Sequence, residues 1–458
     1  MSTCDLLIKN GKIDRDGELV EADICITGKT ISSIQRNSTI QSARTINAQG
    51  LILLPGLIDP HVHFRDPGLT YKEDFVTGTR GAIAGGTTTV FDMPTTEPVV
   101  TTSEIFLEKI RLVQSKAVSN FGLIAAASHD NLTSITDLKR SGAIAFKTFM
   151  VSPPKEREKE YAGSYVTNSG QLYQTMKEVG RCGLVHCIHA ECDSTVSCLI
   201  EEMKLEKRKD PLAHFDSRPN FTEVEAVFDA LILAEVIGAK IHIVHVSTSE
   251  AVELLSAAKS RGVNTTSETC PQYMYFSKEI LSKKGPYAKF NPPPRNPEDT
   301  IRMTNALQTG EIDMVSTDHA PHTNAEKQRG WDDIFKAPSG TPGVETRLPL
   351  LLNLVHQGNL KLRDISRITS SSAAKRFGIY PKKGTLQIGS DADIAIVDFN
   401  QPWVIKAADL QTKAWETVLY DGMAVKGKVK FTILNGSVAF EDGSGFASPG
   451  IGEFVRPS

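Results

Sequence analysis

The sequence has no surplus of positive charge: 51 Lys and Arg stand against 54 Asp and Glu, a formal net charge of -3. A chain that binds phosphate backbones needs a basic excess to displace counterions, so nucleic acid is not an expected partner. No uninterrupted apolar stretch approaches the roughly 18 residues of a membrane span. Met1 to Lys9 lacks the basic start, long apolar run and small-residue cleavage site of a secretory leader, which makes the cytoplasm the expected location. The seven cysteines are an odd number and no two show the C-x-x-C spacing of a zinc or redox site, so free thiols are expected. No glycine-rich phosphate loop follows the first long apolar run, which weighs against an open doubly wound nucleotide-binding sheet. These absences leave a large, ordinary globular protein.

What is present falls into two styles. At the start, Asp5–Ile8, Ala22–Thr27 and Thr30–Gln35 read as short strands separated by Asn10-Gly11 and Thr27-Gly28 turns. Near the end, Ala392–Val397, Val429–Leu434 and Ser437–Phe440 repeat that style, the last two joined by an Asn435-Gly436 hairpin turn. One small β-sandwich module built from both termini is expected, with residues 1–54 and 381–458 as its two parts. Between them, over 55–380, apolar β-type runs alternate with amphipathic helical stretches. The runs number eight: Leu51–Ile58, Thr87–Asp92, Phe121–Ala126, Ile144–Phe149, Leu184–Ile188, Ile241–Val246, Asn264–Ser267 and Ile312–Ser316. Helices are expected over Ser103–Gln114, Leu172–Val179, Glu223–Ile237 and Ser249–Ala258. Eight strand-helix units predict an α/β fold, a (β/α)8 TIM barrel, with reactive residues at the carboxyl ends of the strands. Ser152–Tyr165, rich in Lys and Glu, reads as a solvated loop, and His319–Pro342 as a lid after the eighth strand.

Polar residues collect at those strand ends. His61 and His63 are one strand period apart and face the same way, so they can share a metal ion. His189 closes the fifth strand, His245 the sixth and Asp318 the eighth. Lys147 lies inside the apolar run Ala143–Met150, where a free ammonium is costly to desolvate. A deprotonated lysine can capture carbon dioxide as a carbamate, an anion long enough to bridge two metal ions. Any one of these histidines alone reads more simply as a satisfied polar residue. Their joint occurrence with Lys147 and Asp318 points to a two-metal centre. His186 and His242, three residues earlier in their strands, read as structural.

The string Pro55-Gly56-Leu57-Ile58-Asp59-Pro60-His61-Val62-His63 resembles the metal signature of the amidohydrolase superfamily. His245-Val246-Ser247 and Asp318-His319-Ala320-Pro321-His322 resemble its cyclic amidase branch. Within that branch the resemblance is closest to the dihydroorotases, which open dihydroorotate to N-carbamoyl-aspartate and run the reverse cyclisation in pyrimidine synthesis. The resemblance implies a zinc-dependent hydrolase with two Zn2+ per subunit bridged by a carboxylated Lys147, a small-molecule substrate and a homo-oligomer. Asp318 is then both ligand and catalytic proton carrier. Arg65 matches the dihydroorotase arginine that holds the substrate carboxylate, and the hydantoinases, dihydropyrimidinases and allantoinases generally lack it. His322 matches a second contact on that side, His63 faces substrate as well as metal, and Asn291 fits a ring-contacting position. Ser339 and Gly340 fall in a loop whose backbone is expected to touch the substrate.

Three segments depart from the dihydroorotase pattern. Met93-Pro94-Thr95-Thr96 carries Thr95 where the family has an asparagine that helps clamp the carboxylate. Thr269-Cys270-Pro271-Gln272-Tyr273 resembles hydantoinases, and Phe221-Thr222-Glu223-Val224-Glu225-Ala226 resembles allantoinases. Another cyclic amidase therefore stays open as an alternative. A non-catalytic scaffold relative typically loses metal ligands, whereas all six candidates are present here.

Overall fold

From Leu57 onward the backbone alternates strand and helix in one progression. The computed structural model describes residues 3–15 and 17–457. Eight parallel strands, in sequence order around the sheet, form a barrel. They are Leu57–Val62, Thr87–Asp92, Asn120–Ala126, Ala145–Phe149, Val185–His189, Ile241–Ile243, Thr265–Thr269 and Met314–Val315. A parallel bridge between Val62 and His319 closes the seam, and the His63 N–H donates to the His319 carbonyl at 2.8 Å. Strands such as Thr87–Asp92 and Asn120–Ala126 are buried along their whole length, as expected where helices cover one face and packed side chains the other. Ile58, Phe91, Ile124, Ala145, Cys187 and Met314 pack with Ala373 and Phe377 into a plug at the amino end of the barrel.

The helices start and stop where their capping chemistry dictates. Ser103–Gln114 begins on the Thr102 hydroxyl, Ser169–Cys182 on the Asn168 side chain and Ser249–Ser260 on Thr248. Ser169–Cys182 ends at Gly183, which adopts the left-handed conformation that glycine tolerates.

Both termini build a second, mostly antiparallel sheet of nine strands. Its members are Thr3–Arg15, Glu18–Thr27, Thr30–Gln35, Gln41–Asn47, Ile52–Pro55, Ile394–Val404, Ala424–Leu434, Ser437–Glu441 and Gly445–Phe446. The barrel-plus-sheet architecture is the one expected. Two local readings are corrected. The run Leu51–Ile58 is not one strand: Ile52–Pro55 pairs with Ile394–Val397 in the terminal sheet, while Leu57 pairs with Thr87 in the barrel. The chain changes sheets at Gly56, where a Cβ would meet the Thr88 hydroxyl at 2.2 Å. Asn10-Gly11 is not a turn but a bulge within the first strand, with Asn10 at a φ of 60° and its N–H on the Asp23 carboxylate.

Candidate active site

The carboxyl ends of the barrel strands bring five of the expected ligands to the floor of one cavity, with Lys147 buried against it. His61 Nε2 and His63 Nε2 lie 3.1 and 3.2 Å from Asp318 Oδ1. On the opposite side His189 Nδ1 faces His245 Nε2 at 2.8 Å. The imidazoles of His61 and His245 join the two groups, with ring centroids 5.4 Å apart. Lys147 is wholly buried, and its Nζ has no hydrogen-bond partner. Three residues here hold a positive φ, Arg65 (61°), His245 (40°) and Asp318 (46°). Such backbone strain persists only where the surroundings enforce it, and it concentrates at functional sites.

Three of the four imidazoles are held from behind, which fixes the nitrogen each presents, while His245 Nδ1 has no hydrogen-bond partner. His61 Nδ1 sits 2.7 Å from Glu268 Oε1 and His63 Nδ1 2.6 Å from the Thr95 hydroxyl. His189 Nε2 sits 2.7 Å from Glu191 Oε2, which Arg218 Nη1 also contacts at 2.6 Å. An oxygen on the rear nitrogen orients a histidine toward a metal and raises its basicity as a ligand.

The electrostatics suit cations. Burial lowers the pKa of His63 to about 3 and also lowers those of His189 and His245, which favours neutral imidazoles there; burial would lower His61 too, but the Asp318 carboxylate holds it above its ordinary value. Burial would raise the Asp318 carboxyl, but His61 and His63 hold it well below the usual carboxylate range. Burial pushes the Lys147 amine down to about 8, so a neutral amine able to take up carbon dioxide is accessible near physiological pH. An orphaned amine, four presented imidazole nitrogens and an ionised carboxylate fit a pair of divalent ions of the zinc type. His61, His63 and Asp318 alone bring three ligand atoms within 4.8 Å of one another.

Above this floor opens a cavity of about 1110 Å³. Arg65, only 1% exposed, lines it with Nε and Nη1 free of hydrogen bonds. Asn291 lines it too, its Oδ1 accepting from the Ser339 hydroxyl at 3.1 Å. Residues of 320–340 cover one side, in keeping with a lid.

The amidohydrolase family model matches residues 52–439. This chain belongs to the amidohydrolase family. Among characterised amidohydrolases it is 34% identical to an L-hydantoinase of Paenarthrobacter aurescens over 455 residues, 98% of each chain. It is equally 34% identical to an allantoinase of Deinococcus radiodurans, covering 99% of each chain. A dihydroorotase of Lactobacillus gasseri is also 34% identical, over 96% of this chain and 99% of that one. The solved L-hydantoinase (dihydropyrimidinase) of Arthrobacter aurescens superposes with a TM-score of 0.93 at 33% identity, over 99% of this chain and 100% of that one. The protein is thus a metal-dependent cyclic amide hydrolase rather than a scaffold, of the hydantoinase, allantoinase and dihydroorotase group. Among the described residues no helix is long and apolar enough to cross a membrane.

Within this amidohydrolase, Arg65, Asn291, Ser339 and Gly340 line the cavity, and Thr95 and His322 do not. The Thr95 hydroxyl lies 2.6 Å from His63 Nδ1, behind that imidazole. His322 is fully buried behind Arg65, its Nε2 lying 3.3 Å from Arg65 Nη2 and 3.1 Å from the Ser339 carbonyl. The Gly340 N–H is donated to the Lys289 carbonyl at 2.9 Å. His186 and His242 are internal, as expected, at 2.7 Å from the Thr148 hydroxyl and 2.8 Å from that of Thr266.

The loop Ser152–Tyr165 is not merely solvated. It carries a short helix, Glu158–Tyr161, and turns Arg157, Glu160 and Tyr161 toward the cavity. Glu191 and Glu268 also escaped the sequence reading. Both are acids at strand ends, Glu191 two residues past His189 and Glu268 inside Thr265–Thr269, and acids in buried strands are the signal that could have found them.

Proposed function

We propose that this enzyme is a dihydroorotase, hydrolysing (S)-dihydroorotate reversibly to N-carbamoyl-L-aspartate in de novo pyrimidine synthesis. The observation that carries the reading is the Arg65 guanidinium, buried at the cavity wall with no hydrogen bond on Nε or Nη1. A planar guanidinium matches a carboxylate through paired hydrogen bonds. Residues 55–380 form the catalytic unit in this reading, supported by 1–54 and 381–458.

His61, His63, His189, His245, Asp318 and a carboxylated Lys147 would hold two zinc ions. Ions held there supply Lewis acidity toward the ring carbonyl and acidify water. Asp318, between two imidazoles through one oxygen, accepts the proton of the attacking water on its other oxygen. It then delivers that proton to the departing ring nitrogen. Arg65 fixes the ring by its carboxylate, and Asn291, with Oδ1 tied to Ser339, presents its amide N–H groups to the ring.

An uncharged ring is the second reading. It is favoured by Thr95 serving His63 and by the Glu160 carboxylate 3.9 Å from Arg65 Nη1. Specificity constants of the purified wild-type enzyme for dihydroorotate, dihydrouracil, hydantoin and allantoin separate the two. Dihydroorotate is expected to be hydrolysed fastest; preference for a neutral ring assigns the enzyme to the hydantoinase or allantoinase side.

A further inference from the structure

The cavity wall holds a carboxylate of its own where a substrate carboxylate would dock. Glu160, 5% exposed, places Oε2 at 3.1 Å from Arg157 Nε, 2.6 Å from Arg157 Nη2 and 3.9 Å from Arg65 Nη1. Its Oε1 lies 3.4 Å from Lys72 Nζ, which also pairs with Glu326 of the lid at 3.0 Å. Burial would raise the Glu160 carboxyl, but Arg157, Arg65 and Lys72 pull it down to about 2, so it is an anion. Three cations, Arg65, Lys72 and Arg157, thus meet two carboxylates, Glu160 and Glu326, and 3 − 2 leaves one positive charge facing the cavity.

The 3.9 Å spacing is a long-range ion pair and not a hydrogen bond, so Arg65 keeps its free N–H groups while feeling the Glu160 charge. We infer that Glu160 is a specificity-determining residue: as an internal counter-carboxylate it sets how strongly Arg65 favours an anionic ring over a neutral one. The inference rests on the reading that Arg65 meets the ring substituent. Its content differs, because it concerns the contrast between charged and neutral rings whichever is the natural substrate. With Glu160 present, a monoanion neutralises the cluster. Without it, two positive charges face the cavity and an anion gains further.

The test uses competitive inhibition by orotate, a planar carboxylated ring, and by uracil, its neutral counterpart. Both are measured against whichever cyclic amide the full-length metal-loaded enzyme hydrolyses. In Glu160→Gln the ratio of inhibition constants, orotate over uracil, is expected to fall about tenfold, one unit charge having been removed from a partly screened site. In Lys72→Met, which removes a cation and leaves Glu160, the ratio is expected to rise, and this variant carries the test should the glutamine variant fold poorly. A ratio within about twofold of wild type, or inhibition constants that move together for both rings, overturns the inference. Loss of dihydroorotate turnover in the wild type would overturn only the substrate assignment, because the inhibition ratio is read independently of it.

Discussion

Replacing Arg65 by Met probes the substrate reading at its anchor. Arg65 offers a carboxylate buried N–H groups: neither Nε nor Nη1 makes a hydrogen bond, and the Glu160 carboxylate lies 3.9 Å from Nη1. Removing one partner of a buried, hydrogen-bonded charge pair costs about 3 to 5 kcal/mol. That corresponds to a fall in kcat/KM for dihydroorotate of about two to three and a half orders of magnitude. The thioether fills most of the volume, so a cavity contributes little. The local charge count also changes, from 3 − 2 to 2 − 2, removing the attraction that brings the anion in. The assay is steady-state hydrolysis of dihydroorotate beside dihydrouracil at equal metal loading, with hydrolysis of the neutral ring nearly unaffected. A loss below about threefold on dihydroorotate, in an enzyme whose wild type prefers it, refutes the assignment of Arg65 to the carboxylate.

Three further substitutions separate the roles on the cavity floor. Lys147→Ala is expected to abolish turnover and lower the metal content per chain, with partial rescue by added short-chain carboxylic acids; normal metal content and activity would refute the bridging role. Asp318→Asn keeps the shape while removing the proton carrier, so kcat should fall by about two or more orders of magnitude with the thermal unfolding profile retained; wild-type turnover would place proton transfer elsewhere. Thr95→Val removes the hydroxyl behind His63 and should weaken metal binding by about 10- to 100-fold, read by chelator competition. A raised KM for dihydroorotate with unchanged metal affinity would instead return Thr95 to the substrate.

The barrel was legible because its strands are buried on both sides and read as apolar runs between amphipathic helices. The split at Gly56 was not, since Ile52–Pro55 and Leu57–Val62 are equally apolar and only the crowding against Thr88 marks the crossing. Gln41–Asn47 was missed for the opposite reason: it is mostly exposed and polar, so no apolar alternation announces it. At the site, histidines at strand ends pointed to metal because several strands end in one, together with Lys147 and Asp318. The groups behind them did not, because Glu191 and Glu268 acquire meaning only through His189, His61 and Arg218. Ser152–Tyr165 looked solvated because the partners of its charges, Arg65 and Lys72, lie on the connection after the first barrel strand. The place of Thr95 behind His63 was not legible in the motif and shows only in the 2.6 Å distance to His63 Nδ1.

A two-metal centre bridged through Lys147 is tested by the electron density of crystals grown with zinc and bicarbonate. Branched density continuous with Lys147 Nζ is expected, contacting one metal peak beside His61 and His63 and a second beside His189 and His245. An unbranched Lys147 side chain, with metal absent from both pairs of histidines, would contradict it.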